Sequence, residues 1–137
     1  METRKKTEIV NILLWITQII LSLSLIAGAF IKLFLPPEEL AEMFPWTAEN
    51  RGLLLITAII DFLIGVGVLL PSIILTKSKI STLSACALVA LMTGASIFHI
   101  TRGESSDIGI NILFLLLAIF VIWGRQTRAS TINKQAD

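Results

Sequence analysis

What the 137-residue chain lacks narrows its function before any motif is read. It holds one cysteine, Cys86, so no intrachain disulfide can form and no CxxC redox or zinc site can be assembled. Thiol catalysis by this chain alone is excluded for the same reason. With His99 as its one histidine, it offers no ligand spacing for a metal or haem, so any electrons must come from elsewhere. Charge is scarce as well: 15% of residues are charged and 55% hydrophobic, against about 25% charged in an average soluble domain. A mean hydropathy of +0.85 does not suit a water-exposed surface.

The scarcity is also uneven. Residues 9–31, 80–101 and 108–124 contain no Asp, Glu, Lys or Arg, and 52–76 contain only Asp61. About 20 apolar residues in a helix cross the roughly 30 Å of hydrocarbon in a bilayer. Four such blocks exclude a soluble enzyme, a disordered tail and a nucleic-acid module. They predict an all-α membrane protein: a single membrane domain over 1–137, with an antiparallel four-helix bundle spanning at about 9–35, 52–75, 80–101 and 108–124.

Net charge of +1 indicates no polyanionic partner, because the charges sort by side. Arg4, Lys5, Lys6, Lys77, Lys79, Arg125, Arg128 and Lys134 fall on one side of these spans, and only Arg51 and Arg102 in loops on the other. The positive-inside bias therefore predicts cytoplasmic termini. Trp15 and Trp123 fall toward the same ends, where indole rings favour the interface. Arg4, Lys5 and Lys6 followed by an apolar run to Ala27-Gly28-Ala29 have the form of a signal peptide. The run is nevertheless longer than a usual h-region and carries Asn11 and Gln18, so it reads as a retained first helix.

Short connections near Lys77 and between Arg102 and Asp107 make helix hairpins of the last three spans. The connection 36–51 is longer, with Pro36-Pro37, an acidic turn and Met43-Phe44-Pro45-Trp46. Such a stretch could lie on the membrane surface or cap the bundle, and an interfacial linker anchored by Trp46 is expected in preference to a gate. Ser24 and Gly28, Gly65 and Gly67, and Ala87, Ala90 and Gly94 have the spacing of small residues in a bundle interior. Pro71 reads as a local bend.

In so apolar a chain the informative residues are the polar ones within the spans: Gln18, Lys32, Asp61, His99 and Asn111. An ionisable side chain there costs about 2.5–3.5 kcal/mol on insertion scales, so it must face the interior and find a partner. Asn11, Gln18 and Lys32, spaced by seven and fourteen residues, drift only about 60° around a helix and form one seam. At about 1.5 Å per residue, Lys32, Asp61, His99 and Asn111 all fall in the outer half of the bilayer. Side chains lean toward their helix N-termini, which brings Lys32 and Asp61 toward each other. These four are expected to form one cluster beneath the outer surface. It would either bind something or lock helix register.

Ala27-Gly28 with Lys32-Leu33, the series Asp61, Gly65, Gly67, Leu70 and Pro71, then Phe98-His99, Asn111 and Gly124-Arg125, occur in an order that resembles the DoxX-like family of small four-helix membrane proteins, over roughly residues 12–125. That family more usually has Glu where Asp61 stands. The resemblance implies a protein of the bacterial cytoplasmic membrane, in a group linked by name to a quinone-coupled thiosulfate-oxidising complex. The expected function is a non-catalytic accessory subunit, partnering a membrane redox enzyme and possessing an outer-half pocket for a quinone or other small amphiphile. Lys32, Asp61, His99, Asn111 and Gln18 are the candidate ligand-binding residues. A membrane assembly factor or scaffold, homo-oligomeric or not, is the alternative. A proton or small-solute transporter fits less well, because the inner half offers only Gln18 and hydroxyls.

Overall fold

The structure, a computed structural model, describes residues 2–74 and 79–134. These form six α-helices: α1 (Glu2–Phe34), α2 (Pro37–Met43), α3 (Trp46–Glu49), α4 (Arg51–Ile74), α5 (Lys79–Thr101) and α6 (Gly109–Lys134), with a 3₁₀ turn at Ser105–Ile108. Four of them, α1, α4, α5 and α6, are long and apolar enough to cross a membrane. They pack in a ring in which α1 lies against α4, α4 against α5, α5 against α6, and α6 back against α1. The termini share one end of this bundle; α2, α3 and the 3₁₀ turn lie at the other. The connection near Lys77 lies outside the described residues.

The spans match the expected apolar blocks, but two helices run past them. α1 has 33 residues, about 50 Å at 1.5 Å each, so its basic first turns extend beyond the hydrocarbon. α6 continues through Arg125 and Arg128, since nothing after Gly124 breaks a helix. Pro71 lies within α4 without ending it.

Leu21, Leu25, Ile64, Val68, Ala85, Leu88, Met92, Ala118 and Val121 form one buried core drawn from all four long helices. Ile12, Leu23, Phe34, Leu63, Leu83 and Leu116 face outward instead and stay well exposed. That is the distribution of a protein solvated by lipid. Close helix contact depends on only some of the predicted small residues. A Cβ on Gly65 would come within 2.9 Å of Ile26 and 3.2 Å of the Ser22 carbonyl, and one on Gly124 would collide with Leu14. In contrast, Ser24, Ala87, Ala90 and Gly94 face outward, and nothing lies within 4 Å of a Cβ built on Gly28 or Gly94. Small-residue spacing recurs on more than one face of an apolar helix, so spacing alone did not select the packed one.

Of the two places open to segment 36–51, the structure shows the cap on the bundle and not the interfacial linker. Pro37 opens α2 at its first turn, where its missing N–H is not needed. Leu40 and Trp46 are buried with Leu54, and Leu35, Phe44 and Phe98 pack around them. Trp46 meets Phe98 edge-on at 6.0 Å between ring centroids. It is a core residue of a cap on the bundle, because the two prolines and the short helices fold the chain back over α4 and α5.

Candidate functional site

The polar groups separate into three stations along the bundle. At the capped end, Lys32 Nζ donates to Asp61 Oδ2 at 2.6 Å, and both side chains are largely buried. The shorter Asp side chain reaches because Lys32 and Asp61 lean toward each other on antiparallel helices. Lys32 also walls a pocket of about 180 Å³ between the end of α1, the cap and the start of α4. Leu33, Leu35, Leu40, Leu54 and Leu55 supply its apolar lining, and Thr47 and Arg51 its other polar groups. Leu33 and Leu55 are themselves exposed on the bundle flank, so the pocket borders the lipid-facing surface.

His99 belongs to a second station. Gly103, at φ 78°, ends α5 in a left-handed cap. In that turn the Glu104 N–H bonds the His99 carbonyl at 2.9 Å and the Gly103 N–H bonds that of Ile100 at 3.0 Å, the paired contacts of a Schellman motif. The turn returns Glu104 to His99, whose Nδ1 donates to Glu104 Oε2 at 2.8 Å. Arg102 Nε bonds Glu104 at 3.0 Å, and its Nη1 reaches Glu49 on α3 at 2.7 Å. The His99 bond and then Arg102 hold the Glu104 carboxyl below the ordinary glutamate range, and Arg102 does the same to Glu49. Those two carboxylates in turn raise Arg102. His99, Glu104 and Asp107 place ligand atoms within 4.8 Å of one another. Arg102 brings positive charge to that group from the protein itself.

Neither His99 nor Asn111 hydrogen-bonds the Lys32–Asp61 pair among the described residues, so the single four-helix cluster expected from depth is divided. Asn111 is buried near the start of α6, and its Nδ2 has no partner among the described residues. Depth arithmetic placed these side chains on one level but carried no information about azimuth around each helix.

Gln18 forms the third station, near the termini end. It is fully buried, donates to the Val68 carbonyl at 2.5 Å and to Ser72 Oγ at 3.0 Å, and accepts from Arg125 Nε at 2.9 Å and from Arg125 Nη2. Ser72 Oγ bonds Ser81 Oγ at 2.8 Å, so one amide ties together α1, α4, α5 and α6. The Arg125 guanidinium lies over the Trp15 ring at 5.2 Å. Arg128 Nη1 donates to Asn11. Treating Arg125 as a loop charge missed this station. The signal available was the heptad pair Asn11 and Gln18 facing Arg125 and Arg128 at i, i+3 on an antiparallel helix.

A comparison with protein families bears on the whole bundle. The DoxX-like family matches residues 16–121, from the middle of α1 to the middle of α6. No curated protein and no solved structure matches the chain. The matched segment contains Lys32, Asp61, the cap, all of α4 and α5 and part of α1 and α6, and the chain is a multi-pass membrane protein belonging to the DoxX-like family.

Proposed function

We propose that the chain is a non-catalytic accessory subunit of the bacterial cytoplasmic membrane, with cytoplasmic termini, whose capped pocket receives the headgroup of a quinone or similar small amphiphile for a partner redox enzyme. The observation that carries this reading is that Lys32, whose ammonium is held by Asp61, lines a pocket otherwise built largely from leucines. An apolar cavity with a few convergent polar groups is the usual form of a small-molecule site. At about 180 Å³ it suits a ring or headgroup and not a whole lipid. Lys32 and Arg51 can donate to carbonyl oxygens, whereas the Thr47 hydroxyl donates to the Phe44 carbonyl at 2.7 Å and can only accept; an isoprenoid tail would follow exposed Leu33 and Leu55 into the bilayer. Gln18 lies at the opposite end of the bundle, and His99 belongs to the cap network, so in this reading they support the fold and the cap.

A transporter is the weaker reading. Between the Lys32–Asp61 pair and Gln18 the core is built from Leu21, Leu25, Ile64, Val68 and Leu88, and the buried polar side chain on α1 there, Ser22, does not ionise. A scaffold would need no pocket at all.

Titration of purified protein with a short-chain benzoquinone or naphthoquinone tests the proposal. Saturable binding should weaken by about three- to tenfold in Arg51→Gln, which removes a donor and strands no buried charge. Binding equal in the two proteins, or absent from the unaltered one, would leave the scaffold as the better reading.

A further inference from the structure

The termini end of the bundle contains two guanidinium groups that meet no acid among the described residues. Arg125 and Arg128, one turn apart on α6, both donate to neutral amide oxygens, those of Gln18 and Asn11. Neither forms an ion pair among the described residues, and the two carry like charges one turn apart on the same helix. Both are half-buried. Such an arrangement is costly beside a bilayer unless an anion completes it, because like charges close together raise the energy of both.

We infer that Arg125 and Arg128 form a cradle for the phosphate of an anionic phospholipid in the leaflet at the termini end. A guanidinium carries five N–H donors. The amide contacts take two from Arg125 and one from Arg128, which leaves several on each. The amides orient the forks without neutralising them, and Trp15 covers one face of Arg125. The group sits at headgroup level: Trp123, two residues before Arg125, is exposed among apolar side chains, and indole rings prefer that depth. Arg4 and Lys5 on the overhanging turns of α1 add positive potential at the same end. Basic pockets between transmembrane helices are suited to anionic headgroups. This site is independent of the capped pocket and stands or falls apart from it.

Native mass spectrometry and thermal unfolding of the full chain, reconstituted in phosphatidylcholine nanodiscs with or without phosphatidylglycerol, provide the test. The unaltered protein should retain phosphatidylglycerol selectively and gain thermal stability from it. Arg128→Gln, which leaves the Arg125–Gln18 contact in place, should weaken retention by on the order of five- to tenfold. Lys5→Gln, the same loss of charge outside the cradle, should change it by less than about twofold. Equal losses in the two variants, or equal retention of phosphatidylcholine, would overturn the cradle. Inorganic phosphate that protects as well as the lipid would overturn its assignment to a membrane anion.

Discussion

Lys32 and Asp61 are the two residues whose cost in the membrane is largest and whose solution is most direct, a 2.6 Å contact between antiparallel helices. Removing one strands the other. Lys32→Met should therefore destabilise the bundle by about 3–5 kcal/mol, while Lys32→Met with Asp61→Leu should recover most of that loss. Thermal or denaturant unfolding in detergent measures the cycle, and additive losses would show that the contact contributes nothing. Both residues were legible in the sequence because charge is nearly absent around them. His99 was legible as a buried polar group but not in its partner. That partner depends on Gly103 reversing the chain so that Glu104 returns to the ring, a backbone event that helix depth does not contain.

At the scale of elements, the cap is held to the α5–α6 hairpin by a relay from Glu49 on α3 through Arg102 and Glu104 to His99, with Trp46 packed on Phe98. Both carboxyls are held below their ordinary values in the folded protein. The stabilisation they supply is thus present above the unfolded glutamate value, about 4.3, and is lost as pH falls through the lower folded values. Trp46 fluorescence and amide exchange over 37–49 should report loosening of the cap below about pH 4, with α4 and α5 still protected. Arg102→Gln, which removes the partner shared by both carboxylates, should leave the cap looser at neutral pH as well and shrink its change between pH 3 and 7. A cap equally ordered at pH 3 and 7 would mean that apolar packing alone holds it. Its folding was hidden in the sequence because Pro36-Pro37 and Trp46 suit an interface as well as a buried turn. Leu40, Trp46 and Leu54 become a cluster only once α4 is beside them.

For the whole molecule, four charge-poor blocks were enough to give the number and order of the spans, since a helix is the one form in which a single apolar segment satisfies its own backbone in lipid. The azimuth of each helix was not legible, which is why one expected polar cluster became three stations separated by an apolar core. The proposed orientation, with cytoplasmic termini, rests on the sequence bias of eight basic residues against Arg51 and Arg102. In a Cys86→Ala background, a cysteine at Glu39 should react with an impermeant thiol reagent in intact cells and one at Ser130 should not; the reverse pattern would invert the bundle. The central claim is that the capped pocket beside Lys32 receives an amphiphile's headgroup, and photolabelling of the reconstituted protein with an azido-quinone tests it most directly. The account predicts label on residues 33–35 and 40–55, displaced by unlabelled quinone; label concentrated on 98–111, or spread without displacement over the lipid-facing helices, would contradict it.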